Sequence, residues 1–252
     1  MTAGSGEVAV VVGATGAFGT AIVSRLLAAG LRVVAVARTR ASLDTLMASH
    51  DGIIPCEADI ADDSAIAKIA AAVPGPVRMA VHGPGLAAAG NVFSVSTAAM
   101  AESVNVKAGG MLRLARAVDD KLVDGARLVA IAGHYGLEPA PYATAAGVAN
   151  AAIVNLTRQL SLAYGPRGIT AHVIAPGPAD TERLRKVAAN QAATRGVSIE
   201  TIIEGMKAES STGTLTTPEQ VAWAVTLLLA PEADAMTGST LMLDNGRRRG
   251  LP

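Results

Sequence analysis

Five apolar residues, Val8-Ala9-Val10-Val11-Val12, run directly into Gly13-Ala14-Thr15-Gly16-Ala17-Phe18-Gly19. A strand that breaks into a glycine-rich turn and then a helix is a phosphate-binding device. Glycine lets the backbone turn tightly and approach a pyrophosphate, whose charge is met by free amides at the helix start. Gly13, Thr15, Gly16, Phe18 and Gly19 are the expected contacts with a dinucleotide. The end of the second apolar run decides which one. An acidic side chain there binds the ribose hydroxyls of NAD(H), whereas this chain has Ala37-Arg38-Thr39-Arg40. With no acid and two guanidinium groups suited to bidentate phosphate contacts, the reading is NADP(H), with Arg38 as the expected contact.

The elements that hold such a turn follow from the pattern. Short aliphatic runs alternate with longer Ala-rich segments of helical periodicity, the signature of repeated βαβ units. Strands are predicted near Val8–Val12, Arg32–Ala37, Ile53–Glu57, Met79–His82, Arg127–Ala132, Thr170–Ile174 and Ser239–Leu243. Helices are predicted near Ala17–Ala29, Ser42–Ser49, Asp63–Ala72, Thr97–Lys121, Ala143–Gly165 and Pro218–Leu229. The fold class is therefore α/β, a doubly wound parallel sheet of Rossmann type in a single domain over residues 1–252. Half the residues are apolar and only 2% aromatic, which suits strands buried on both faces under Ala-rich helices. The polar, helix-prone segment 180–217 stands outside the strand rhythm and is read as a lid over the carboxyl ends of the strands.

Lysine plus arginine and aspartate plus glutamate both total 21, and this zero formal charge argues against a nucleic-acid footprint. Arg247-Arg248-Arg249 is read as a solvated tail or subunit contact. Cys56 is the only cysteine, so no intrachain disulfide forms. Met1–Glu7 lacks the basic start and apolar run of a secretory signal, and no apolar stretch approaches the ~18 residues of a membrane span. The expectation is a cytoplasmic protein acting on a small molecule, with no metal, nucleic-acid or membrane partner.

Several stretches in order, from about residue 7 to residue 246, resemble the short-chain dehydrogenase/reductase family. The three glycines three apart are similar to its extended branch, with Val12 where a threonine is usual. Glu57-Ala58-Asp59-Ile60 resembles the Asp-hydrophobic pair at the adenine, which makes Asp59 and Ile60 adenine-pocket candidates. His82-Gly83-Pro84-Gly85 stands where the family has Asn-Asn-Ala-Gly. This implies cofactor contacts at Gly83 and Gly85 and a structural role for His82. Pro176-Gly177-Pro178-Ala179-Asp180-Thr181 resembles the Pro-Gly-x-x-x-Thr turn at the nicotinamide, implying contacts from Pro176, Gly177 and Thr181. Gln159 to Gly168, and Thr237-Gly238-Ser239 through Asp244-Asn245-Gly246, match the later helix end and last strand. Relatives assemble through the helices corresponding to Thr97–Lys121 and Ala143–Gly165, so a homodimer or homotetramer is implied.

The resemblance also implies a catalytic set, and here the chain departs from it. Tyr142 is matched to the tyrosine of Tyr-x-x-x-Lys, opening a helix one turn before Ala146, which holds the lysine's place. Gly133 in Ile131-Ala132-Gly133-His134-Tyr135-Gly136 stands for the serine, and Asn105 matches the asparagine of the proton relay. No lysine occurs between Lys121 and Lys186. A phenol has pKa ~10, so holding one ionised near pH 7 costs about 4 kcal/mol. A cation at ~4 Å and effective dielectric ~20 contributes about as much. Without that cation the phenol is a poor base but a competent acid, which favours carbonyl reduction over alcohol oxidation. His134 and Tyr135 follow the serine's place and are the candidate replacements as donors. Three functions stay open: an NADP(H)-dependent reductase with an incomplete catalytic set, a silent NADP(H)-binding relative acting as sensor or partner subunit, or non-redox chemistry such as dehydration or isomerisation with Tyr142 as acid.

Overall fold

The structure, a computed structural model, describes residues 6–85 and 90–250. The amino-terminal residues 1–5, on which the absence of a secretory signal was mostly read, lie outside them. Seven parallel strands run β1 (Val8–Val12), β2 (Arg32–Ala37), β3 (Ile53–Glu57), β4 (Val77–His82), β5 (Leu122–Ile131), β6 (Thr170–Pro176) and β7 (Thr240–Leu243). Their order in the sheet is β3-β2-β1-β4-β5-β6-β7. Helices α1 (Ala17–Ala28), α2 (Arg40–Met47), α3 (Ser64–Ala72), α4 (Thr97–Val104), α5 (Gly110–Val118), α6 (Thr144–Tyr164), α7 (Glu182–Arg195), α8 (Ile199–Ala208) and α9 (Pro218–Leu227) complete the fold.

The five inner strands are buried on both faces because they are written mainly in Val, Ile, Leu and Ala, whereas the edge strands β3 and β7 are largely half-buried. Alternate residues of β1 feed opposite cores: Val8, Val10 and Val12 join one apolar cluster, Ala9 and Val11 the other. Strand order reverses between β1 and β4, where Val12 pairs with His82. The chain diverges there in two directions and leaves a crevice beyond the strands' carboxyl ends, the place where open α/β sheets take their ligands. Gly13 and Gly83 both leave their strands at this point, and the Gly83 amide donates to the Val12 carbonyl at 3.1 Å.

Two helical expectations change. The segment predicted as one helix over Thr97–Lys121 is broken by a π-helical turn, Asn105–Gly109, and ends at Val118. Tyr142 does not open a helix: α6 begins at Thr144, and Tyr142 lies in the turn before it. Its N-cap, Ala143, has no side-chain acceptor, so nothing in the local chemistry carries the helix further back. Segment 180–217 folds into α7 and α8, which share a small apolar cluster of Ala188, Ala192 and Ile202 separate from the two main cores. Polar ties hold this pair to the rest. Arg183 donates to the Gly85 carbonyl at 3.2 Å, and Arg247 pairs with Glu209 and donates to the Met206 carbonyl at 3.2 Å.

Three histidines are buried: His82 and His172 are 0% exposed and His134 is 5% exposed. Burial is the largest influence on each, pushing His82 down to about 3 and His134 and His172 to about 4, from an ordinary value of 6.5. Unfolded, they take up protons near 6.5, so the unfolded state binds more protons between that value and about 4. Stability is complete above the upper limit and is lost as pH falls through the window. The melting temperature should therefore fall on acidification from pH ~7 to pH ~4.5, and His172→Gln should flatten the slope. An equally steep slope in that variant would refute the assignment.

Candidate dinucleotide and active site

At the cofactor end, the glycine turn is shaped by close approach. Gly13 has φ +80°, a conformation that favours glycine, and Pro84 would lie 3.2 Å from any Cβ placed on it. A Cβ on Gly19 would overlap the Gly13 carbonyl oxygen, so α1 can press onto the turn only as glycine. The N-terminus of α1 has no side-chain cap and no acidic residue in its first turn, leaving its amides directed at the crevice. Thr15 is half-buried, Gly16 exposed, and Phe18 packs against the core under β1. Arg38 is exposed just past β2. Arg40, by contrast, is paired with Asp44 one helical turn on at 2.8 Å, so one free guanidinium remains rather than two. Asp59 is exposed and accepts from the Ala61 amide at 3.0 Å, whereas Ile60 is buried in the core. Only the backbone of Ile60 can face a ligand.

These residues fit a dinucleotide: a cradle that a Cβ would fill, an uncapped helix start and an arginine beyond β2. On the far side of the crevice, Pro176 ends β6 and the Gly177 amide donates to the Leu243 carbonyl at 3.0 Å. Thr181 caps α7, its hydroxyl accepting from the Leu184 amide at 3.3 Å. Gly83 and Gly85 are half-buried beside the Gly13 turn.

At the chemical end two phenols meet. The hydroxyls of Tyr135 and Tyr142 are 2.9 Å apart and their rings stand edge to face at 86°. Tyr142 is 47% exposed. Burial, then the hydrogen bond shared with Tyr142, raise the Tyr135 pKa, and its hydroxyl stays protonated. His134 lies beneath Tyr135, ring centroids 3.9 Å apart, buried and neutral at pH 7. Burial and Arg247 outweigh Asp244, the Pro176 backbone and Glu138, which favour its proton, so the donor expected here has only the N–H of a neutral ring to offer.

The Asn105 amide nitrogen donates to the Ala61 carbonyl at 3.1 Å and to Glu102 at 3.2 Å, and its oxygen accepts from Arg113 at 3.0 Å. With its amide so engaged, the Asn105 side chain ties the π-turn to its neighbours. Gly133, two residues past β5, stands against Asn150. A Cβ there would lie 2.9 Å from the Asn150 amide nitrogen, and a Cβ on Gly136 would meet the Asn150 backbone carbon at 2.7 Å.

A family model described as enoyl-(acyl carrier protein) reductase matches residues 13–248. The chain belongs to the short-chain dehydrogenase/reductase family. Among its relatives, the short-chain reductase protein NovJ of Streptomyces niveus is 29% identical over 255 positions, covering 96% of this chain and 94% of that one. A putative ketoacyl reductase of Streptomyces coelicolor is 28% identical over 251 positions, covering 95% and 96%. The crystal structure of a variant actinorhodin polyketide ketoreductase with NADPH has TM-score 0.88 at 27% identity, covering 98% and 99%. A short-chain dehydrogenase family protein from Francisella tularensis, at 19% identity, TM-score 0.86 and coverage of 96% and 98%, shares the fold.

Two residues of this short-chain dehydrogenase/reductase escaped the sequence reading. Asn150, only 7% exposed, stands alone in an Ala-rich stretch of α6, and it fills the space beside Gly133. Lys107 is the single charge in Val104-Asn105-Val106-Lys107-Ala108-Gly109-Gly110, yet it is buried against Gly85. A polar side chain among small apolar neighbours was the available signal for each.

Among the described residues, no helix is long and apolar enough to cross a membrane.

Proposed function

We propose that this protein is an NADPH-dependent reductase of a carbonyl-bearing small molecule, with Tyr142 as proton donor and Tyr135 as its partner. The observation that carries this reading is the 2.9 Å contact between the two phenol oxygens, one of them on the half-exposed Tyr142. NADPH, when bound, supplies hydride. As the carbonyl π pair moves onto oxygen, that oxygen takes the Tyr142 proton, and Tyr135 donates a hydrogen bond to the phenolate left behind. Tyr135 suits that role because it holds its own proton. Ketoacyl reductase names among the relatives and the NADPH of the actinorhodin neighbour support the reaction class and the cofactor. Helices α7 and α8 are the lid in this reading. Assembly as a dimer or tetramer uses α6, whose Val148 and Leu162 are exposed.

A second reading, a silent NADP(H)-binding relative, is favoured by one observation. Gly133 and Gly136 both stand against Asn150; if the family's lysine belongs at that contact, its tyrosine and lysine places are Ala146 and Asn150, and neither group is present there. Tyr142 then acts, if at all, from outside the family's helix.

Titrating NADPH and NADH into the protein and screening carbonyl substrates separates the two. NADPH binding with turnover supports the reductase, and NADPH binding without turnover across the panel supports the silent relative. Arg38→Ala should weaken NADPH about tenfold or more while leaving NADH unchanged, since only NADPH has the phosphate for a charge-assisted contact. Equal weakening of both would reject Arg38 as the discriminating residue.

A further inference from the structure

Lys107 projects from the π-turn and is only 7% exposed. Its Nζ lies 3.1 Å from where a Cβ on Gly85 would stand, with Cδ and Cε at 3.7 Å, so the side chain lies flat against the bare backbone that leads out of β4. Among the described residues its ammonium forms no hydrogen bond and no ion pair. The charge that acts on it is of its own sign: Arg183, at the start of α7, donates to the Gly85 carbonyl at 3.2 Å. Burial, then Arg183, push the ammonium down to about 7. A cation removed from water with no acceptor, beside a second cation, is an unfavourable arrangement that a ligand rich in oxygen would relieve.

The location says which ligand. Gly85 follows β4 at the strand-order reversal, three residues beyond the strand end that pairs with Val12, and so on the same rim as the glycine turn. We propose that Lys107 is a dinucleotide-binding residue, reaching past Gly85 to phosphoryl or ribose oxygens of the nicotinamide-nucleotide half and supplying from the π-turn a cation that α6 does not carry at Ala146 or Asn150. The inference rests on the preceding reading that the crevice takes NADP(H). It explains why a lysine interrupts a run of small apolar residues, and why the residue it passes is glycine: a Cβ at Gly85 would crowd Nζ.

The test uses Lys107→Met, similar in length and uncharged. Because the ligand-free protein loses an unpaired buried cation, its melting temperature should rise. NADPH binding, followed by calorimetry, should weaken about ten- to hundredfold, the size of a charge-assisted hydrogen bond. Binding of 2′,5′-ADP, which lacks the nicotinamide half, should stay within about twofold of the original. A merely structural lysine would lower the melting temperature and leave NADPH binding intact, and that outcome overturns the proposal. Equal weakening of NADPH and 2′,5′-ADP also overturns it, because the contact would then lie in the adenosine half. Should Lys107→Met fail to fold, Lys107→Gln carries the same three measurements. If the unaltered protein binds neither NADPH nor 2′,5′-ADP, the cofactor reading itself fails, and Lys107 with it. If it binds both and Lys107→Met does as well, only the lysine assignment falls.

Discussion

Replacing Tyr142 with phenylalanine should lower kcat for carbonyl reduction by about 10²–10⁴-fold, the range typical of removing a positioned acid. The NADPH Kd should stay within about twofold, because nothing in the glycine turn or near Arg38 depends on this phenol. The ring is half exposed and its edge-to-face contact with Tyr135 survives in phenylalanine, so the fold should tolerate the change. Tyr135→Phe keeps the acid and removes only the group that steadies its conjugate base. A smaller loss of about tenfold is expected, roughly one neutral hydrogen bond. The two effects should not add, since each variant disrupts the same 2.9 Å contact. Unchanged turnover in Tyr142→Phe would dispose of the phenol mechanism.

The second large effect is a gain. Residues four apart on a helix stack on one face, so a tyrosine and a lysine placed at Ala146 and Asn150 would stand one above the other. Asn150 is the member of α6 that Gly133 and Gly136 face. We infer that the family's register runs through these positions, four residues later than the match of Tyr142 and Ala146. On the silent reading, in which Tyr142 transfers no proton, the triple variant Gly133→Ser, Ala146→Tyr, Asn150→Lys should raise carbonyl reduction at least about a hundredfold, the lower bound for installing an acid. The pair chosen by the earlier register, Gly133→Ser with Ala146→Lys, should gain nothing. It should also lose about 1–3 kcal/mol of stability, because a serine Cβ would stand 2.9 Å from the retained Asn150 amide. Activity in the pair and none in the triple would restore the earlier register.

The difference between what could and could not be read from the sequence has physical causes. Buried parallel strands require apolar side chains on both faces, so Val8–Val12 and Arg32–Ala37 announce themselves with their observed limits. The glycine turn was legible because its constraint is local: φ +80° at Gly13 and the contact between Gly19 and the Gly13 carbonyl lie within seven residues. The pairing of Arg40 with Asp44 was also local, a spacing of four on a helix, and was available to be read. The start of α6 was not, because Ala143 and Thr144 carry no capping bond that would distinguish Tyr142 inside the helix from Tyr142 before it. Nor was the break at Asn105, where small residues on both sides continue the periodicity and the cause, bonds to Ala61 and Arg113, lies in other elements. The state of Lys107 depends on Gly85 and Arg183, which only the folded chain brings beside it.

The helix pair α7–α8 carries its own small apolar cluster, and its ties to the body of the protein are polar. Swinging it aside would expose little new greasy surface to water and would leave the hinged piece intact. What resists such a swing is a few contacts involving Arg183 and Arg247, which dissolved ions weaken. Entry to the crevice should therefore quicken with ionic strength, well below any temperature at which the sheet itself begins to give way.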